Sequence, residues 1–190
     1  MFRGLGWKRN YLVNLIYQDG VIAYPTEGVW GLGCLPESLS AVTRILSLKN
    51  RSWKQGLILV GSSIEQFAPY ISELPHEALA EMERVWPSAV TYLLPDNGYC
   101  PLWIRGEHST VAIRVSAHPL IRDLCDHLNS PLVSTSANPS GRPAALNSLQ
   151  VRRYFGSGVD CILPGELGSS RGASELRDIS TGVIVRAATK

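Results

Sequence analysis

No apolar run in the sequence approaches the roughly 20 residues that a bilayer-spanning helix needs, so a helical membrane protein is excluded. Charge of one sign is equally scarce: 18 Lys and Arg stand against 16 Asp and Glu, a formal net charge of +2. Binders of long nucleic-acid backbones usually carry a strongly basic domain, so this balance argues against a large phosphate footprint. Phenylalanine is limited to three residues, and no strand interleaves aromatic with basic side chains as a single-strand stacking platform would. Cys34, Cys100, Cys125 and Cys161 are widely separated, with no C-x-x-C pair and no histidine at metal-ligand spacing. No disulfide framework or compact zinc motif fits them, which leaves reduced core cysteines or a zinc site assembled from distant parts of the chain.

The common catalytic signatures are missing as well. There is no G-x-x-x-x-G-K-[ST] loop, no G-x-G-x-x-G turn and no G-x-S-x-G elbow. His76, His108, His118 and His127 lie in helical or loop segments with no marked acidic partner, so a serine hydrolase is disfavoured. Any nucleotide would have to be held in some other way.

What is present is an ordinary globular composition, with 45% hydrophobic and 18% charged residues over 190 positions. That length buries a substantial core and suits one domain. The N-terminal "MFRGLGWKRNYLVNLIYQDG" faintly imitates a secretory signal, but Asn14 interrupts its apolar part and no small-residue cleavage site follows. An amphipathic helix with Tyr11, Leu12, Leu15 and Ile16 on one side, stopped at Gly20, is the reading that fits, and a cytoplasmic location is expected.

Downstream, apolar alternation and helical spacing interleave. Strands are predicted at "VIAYP", "GLILV", "AVTYLLP", "TVAIRVS", "PLVSTS", "GVDCILPG", "ELRDIS" and "GVIVR". Helices are predicted after Ser38, over "SIEQFAPYI", "PHEALAEMERVW" and "HPLIRDLCDHL", and around "SLQVRRYFG", while "TEGVWGLG" reads as a glycine-rich turn. Some strands adjoin without a helix between them, which indicates an α/β domain with a mixed parallel and antiparallel sheet.

Polar clusters fall where strands and helices end, the places where ligands bind in open α/β sheets. "KNRSWK" gathers Lys49, Arg51 and Lys54, which could hold a polyphosphate through charge-assisted hydrogen bonds or merely offset the negative end of a helix dipole. "STSANPSG" offers the hydroxyls of Ser134, Thr135 and Ser136 and the amide of Asn138, either as a cradle for phosphate or base edges or as a set of turns. Arg114 interrupts the apolar strand "TVAIRVS", and a buried guanidinium must meet an anion. Glu27 or Asp178 could pair with it structurally, and a substrate carboxylate could do so functionally.

In this order and over nearly the whole chain, "AYPTEGVWGLGC", "LKNR", "AIRV", "PLVSTSANPSG" and "LPGE" followed by "SELRD" resemble the YrdC/TsaC family of threonylcarbamoyl-AMP synthases. The resemblance implies a YrdC-like domain over residues 1–190 with a twisted mixed sheet, flanking helices and a large basic cavity. It implies an enzyme that joins L-threonine, bicarbonate and ATP, the latter carrying Mg2+, into threonylcarbamoyl-AMP with release of pyrophosphate, and no structural metal. The product would pass to enzymes that modify tRNA adenosine next to the anticodon. Carried over by motif, Thr26, Arg114, Ser134 and Ser174 match positions used for threonine, while Lys49, Arg51, Thr110, Ser136, Asn138 and Arg186 match the ATP side, with Lys49 and Arg51 as the catalytic cations. Many relatives carry proline after the K-x-R arginine and histidine at the end of the next strand, where this chain has Ser52 and Val60. The competing expectation is an RNA-binding module that would set the same cavity on tRNA or double-stranded RNA.

Overall fold

The strands are β1 (Ile22–Pro25), β2 (Trp30–Gly33), β3 (Ile58–Gly61), β4 (Val90–Pro95), β5 (Thr110–Val115), β6 (Leu132–Ser136), β7 (Cys161–Ile162), β8 (Glu175–Asp178) and β9 (Ile184–Arg186). In the computed structural model, which describes residues 6–170 and 172–188, they form one sheet in the order β7-β1-β2-β6-β3-β5-β4-β8-β9. Parallel pairs (β7/β1, β3/β5, β4/β8) mix with antiparallel ones, as the sequence predicts. The helices are α1 (Gly6–Tyr17), α2 (Leu39–Lys49), α3 (Ala68–Ile71), α4 (His76–Val85), α5 (Leu102–Arg105), α6 (Pro119–Leu128) and α7 (Ser148–Phe155). No helix among the described residues is long and apolar enough to cross a membrane.

Period-two alternation divides the strands between two cores. Val21, Ala23, Leu59 and Val133 join side chains from α2, α4, α5 and α7, whereas Ile22, Tyr24, Val60 and Leu132 join those of α1 and α6. Helix α6 buries Leu120, Ile121, Leu124, Cys125 and Leu128, an apolar stripe at helical spacing. Each such aliphatic side chain contributes about 1.5–3 kcal/mol on burial, and truncating Leu124 to alanine is expected to cost about 2–5 kcal/mol.

Helix α2 shows how local chemistry aims the segment that follows it. Ser38 caps its first turn by accepting a hydrogen bond from the Ala41 amide at 3.1 Å. Asn50 ends it in the left-handed region (φ 49°, ψ 51°), its amide bonded back to the Leu46 and Ser47 carbonyls. Asparagine tolerates that conformation better than most side chains. The chain therefore turns sharply just before Arg51.

Three local expectations change. Trp30–Gly33 lies within the stretch read as a turn, yet it is β2, buried throughout and antiparallel to β1. Its glycine at 33 permits close approach: a Cβ there would stand 2.4 Å from the Val133 carbonyl oxygen. "SIEQFAPYI" is not one helix but a 3-10 turn at Glu65–Phe67 followed by the single turn of α3. At the end of α1 the positive φ falls on Asp19, at 62°, while Gly20 is needed because a Cβ would meet Leu15 O at 2.4 Å.

Candidate functional site

Sheet register gathers the polar strand ends. Ile58 lies opposite both Ala112 and Ser134, Val60 opposite Arg114, and Gly31 opposite Ser136. Val60 faces the α6 core, so alternation puts Arg114, Ser134 and Ser136 on that same side of the sheet. Further along that face the helical cover gives way to a cavity of about 670 Å³. Thr26, Arg51, Thr110, Arg114, Ser134, Ser136, Ser174 and Arg186 all line it. Sequence separations of more than a hundred residues close into one site.

Its charge is distributed unevenly. Among the described residues, Arg51, Arg105, Arg114 and Arg186 line the cavity together with a single carboxylate, Glu27. Arg105 pairs with Asp96 at 2.8 Å and Arg114 with Glu27 at 3.3 Å. Arg51 and Arg186 donate instead to backbone, to Gly56 O and Ser174 O, each at 3.0 Å. Burial and then the neighbouring Arg186 lower the Arg51 pKa, while burial and then Arg114 lower that of Arg186. Cations that crowd one another in a half-buried cleft gain from an anion placed between them.

Glu27 settles the pairing of Arg114. Its Oε1 accepts from Ser116 Oγ at 2.6 Å and from the Ala117 amide at 3.0 Å, while Oε2 faces Arg114. Burial pushes the carboxyl up, but Arg114 and these hydrogen bonds outweigh it and hold it below the usual glutamate range. Asp178, the other structural partner foreseen, closes the β8–β9 turn by accepting from Ser180 and Thr181.

Lys49 and Asn138 stand outside the lining. The Lys49 ammonium donates to the carbonyls of Ser136 and Asn138. Burial and then Arg51 lower its pKa to about 8. The Asn138 amide nitrogen donates to Pro139 O at 3.1 Å and Arg142 O at 2.7 Å, folding the loop back on itself. Both residues hold the backbone on which Ser136 sits.

The other wall is built from β4 and β8. Ser174 Oγ shares a 2.9 Å hydrogen bond with Thr91 Oγ1, and Leu93 and Leu176 present an apolar surface beside it. The late loop is tied at its start, where the Gly168 amide donates to Thr26 O at 2.9 Å and His118 Nε2 contacts Glu166 O at 3.1 Å. Residue 171 lies outside the described residues. The positions that depart from the family pattern take structural roles: Ser52 caps a 3-10 turn through Lys54 N, and Val60 is buried against α6.

Glu27 and Gly31 line this cavity, and Ser116 holds Glu27 from behind the lining, although the residues matched by motif do not include them. Strand alternation is the signal that could have found Gly31, which lies opposite Ser136 across the β2/β6 pair.

An α/β sheet with arginines, hydroxyls and one engaged carboxylate around a cleft offers positive charge and hydrogen-bond donors to a compact anionic ligand. The family described as "Telomere recombination" (Sua5, YciO, YrdC) matches residues 14–188, and the chain belongs to it. A threonylcarbamoyl-AMP synthase of Pseudomonas fluorescens is 48% identical over 96% of this chain and 98% of its own length. The protein of that name from Marinobacter nauticus is 53% identical over 88% of each. Among solved structures, P. abyssi Sua5 complexed with L-threonine superposes with a TM-score of 0.87 at 32% identity, covering 95% of this chain and 54% of that one. E. coli YciO gives a TM-score of 0.83 at 25% identity over 95% of this chain.

Proposed function

We propose that this chain is a threonylcarbamoyl-AMP synthase, using L-threonine, bicarbonate and ATP and releasing pyrophosphate. The observation that carries the reading is the convergence of Arg51, Arg114 and Arg186 with the Ser134 and Ser136 hydroxyls on one cavity. It is supported by the family and by relatives of that name at nearly full length.

Threonine is assigned to Thr26, Arg114, Ser134 and Ser174, with the Arg114 guanidinium receiving its carboxylate. ATP is assigned to Arg51, Thr110, Ser136 and Arg186, with Lys49 and Asn138 supporting this side through the loop they hold. Ser134 and Ser136 project from the same face of β6 two residues apart, so one strand end can serve both ligands.

The chemistry asks for position and charge rather than a protein nucleophile. Threonine's amine and bicarbonate give N-carboxythreonine and water. A carboxylate oxygen of that carbamate then attacks the α-phosphorus, and the bond to the bridging oxygen breaks to free pyrophosphate. Negative charge grows on the departing group, where Arg51 and Arg186 can stabilise it. Magnesium would enter with the triphosphate and supply positive charge that offsets its phosphates. The lining suits that division, because its one carboxylate among the described residues, Glu27, is already engaged by Arg114, Ser116 and Ala117.

The adenylate would then pass, in the cytoplasm, to an enzyme that transfers the threonylcarbamoyl group to tRNA adenosine. The test is pyrophosphate release by the purified protein with ATP, magnesium and bicarbonate. Release that depends on L-threonine is expected. A folded protein that binds duplex RNA but releases no pyrophosphate would favour the RNA-binding reading instead.

A further inference from the structure

We propose that Glu27, braced by Ser116, is the positioning residue that aims Arg114 at the substrate carboxylate. The inference rests on the synthase reading and adds a residue to its threonine side.

A guanidinium on a long side chain has many rotamers, and ordering it at the moment of binding costs side-chain entropy. Here the ordering is done beforehand. Arg114 projects from β5 beside Val60 of β3, and its side chain is 7% exposed. Its one carboxylate contact among the described residues is Glu27 Oε2, 3.3 Å from a terminal guanidinium nitrogen. That is not a bidentate fork, and the buried Nε finds no partner among the described residues. An arginine held at one corner keeps donors free for a second carboxylate.

Glu27 is itself fixed from the far side of the sheet end. Ser116 follows β5 directly, and its hydroxyl donates to Glu27 Oε1 at 2.6 Å while accepting from the His118 amide at 3.1 Å. The Ala117 amide adds a second donor to the same oxygen at 3.0 Å. The carboxylate therefore has one oxygen committed to the chain after β5 and the other turned to an arginine on β5. The backbone around Glu27 is equally confined, since a Cβ on Gly168 would lie 2.9 Å from Glu27 Cα.

Two opposing effects decide the sign. The Glu27 charge lowers the positive potential that a substrate carboxylate meets, and it also fixes the donor that meets it. Two donors already hold its Oε1 and Arg114 lies across an ion pair from its Oε2, whereas Arg114 without it loses its one carboxylate partner among the described residues. We therefore expect loss of positioning to win.

The experiment measures pyrophosphate release against L-threonine and against ATP for Glu27→Gln, Ser116→Ala, Arg114→Ala and the Glu27→Gln/Arg114→Ala double variant, with folding checked by circular dichroism. Glu27→Gln is expected to raise KM for threonine roughly tenfold, the size of one charge-assisted contact, with kcat and KM for ATP held within about twofold. Ser116→Ala, which keeps both charges, should move the same constant in the same direction by less, and it carries the test if Glu27→Gln does not fold. In the Arg114→Ala background Glu27→Gln should add nothing, because it acts through the arginine. An unchanged or lower KM for threonine, a fall in kcat alone, or a full additional loss in the double variant would overturn the assignment. Calorimetric titration with L-threonine and no ATP reads the same ratios without turnover. Threonine binding without pyrophosphate release would overturn the synthase reading alone, and no threonine binding would overturn both.

Discussion

The ammonium group of Lys49 donates to the backbone carbonyl of Asn138 at 2.9 Å and to that of Ser136 as well, so the last residue of one helix holds the end of a strand nearly ninety positions away. Ser140 closes the same junction by donating its amide to Lys49 O at 2.7 Å. Replacing Lys49 with methionine leaves those carbonyls without their cationic donor. Hydrogen bonds to charged groups are worth about 1.5–3 kcal/mol each, and of the two carbonyls Ser136 O keeps the Asn138 amide at 3.0 Å. Lys49→Met is therefore expected to lower the unfolding free energy by about 2 kcal/mol and to raise KM for ATP, read by denaturant melts and by pyrophosphate release. A change in stability with ATP kinetics untouched would separate Lys49 from the nucleotide side.

Lys49 also makes a pH prediction. Burial, followed by Arg51, brings its folded-state pKa down to about 8 from 10.5. Between those values the unfolded chain binds the proton and the folded chain does not, so stability rises with pH across the window. The contribution is complete above 10.5 and is lost as pH falls through about 8. Cys34, Cys100 and Cys125, each pushed up to about 12 by burial, tilt the same region the other way. The informative quantity is therefore the difference between wild type and Lys49→Met, which should grow in favour of wild type from pH 8 to pH 10. A flat difference would contradict the lowered pKa.

Arg51 should behave differently from Lys49. It is half-buried, donates among the described residues only to Gly56 O, and is crowded by Arg186. Alanine there removes repulsion along with one hydrogen bond, so melting should change little. If Arg51 stabilises departing pyrophosphate, Arg51→Ala should slow turnover by about one to two decades, matching a charge-assisted contact of about 1.5–3 kcal/mol. Turnover within twofold of wild type would remove Arg51 from the chemistry.

The contrast between these two cations was partly legible in the sequence. Val42, Ile45, Leu46 and Lys49 fall on one helical stripe, and all four are buried, so 3.6-residue periodicity already put Lys49 on the inner face. Arg51 escapes that face because Asn50 turns the chain, which spacing alone does not reveal. Strands β1 and β5 were readable because apolar residues dominate them, β6 from the apolar Leu132 and Val133 that open it, and Arg114 was readable as a charge that needed an anion. Strand β2 was not, since its glycines look like a turn until Tyr24 and Val133 are known to pack against them. Helix α5 has only four residues, too few to show a period. The choice of Glu27 over Asp178 depended on which strands pair, and β8 turned out to lie beside β4 rather than β5.

Gly31 offers a test of the cavity floor. It lies opposite Ser136, and a Cβ there would stand 3.2 Å from Thr26 Cγ2, 3.3 Å from Tyr24 Cε2 and 3.6 Å from Ser134 Oγ. Those contacts are tight but not prohibitive, and the backbone of Gly31 is not in the left-handed region. Tyr24 is fully buried and cannot move away easily, whereas the cavity side is open. The added methyl group should therefore intrude between Thr26 and Ser134, the hydroxyls assigned to threonine. Gly31→Ala is expected to cost about 1 kcal/mol in stability, the low end of what overpacking costs, and to raise KM for threonine severalfold. KM for ATP should change less than KM for threonine, because although Ser136 lies opposite Gly31, the three atoms nearest that methyl group belong to Thr26, Tyr24 and Ser134 and to none of Arg51, Thr110, Ser136 or Arg186. Measuring both constants on one preparation decides the matter, because a rise in KM for ATP alone would move the threonine subsite away from Thr26 and Ser134.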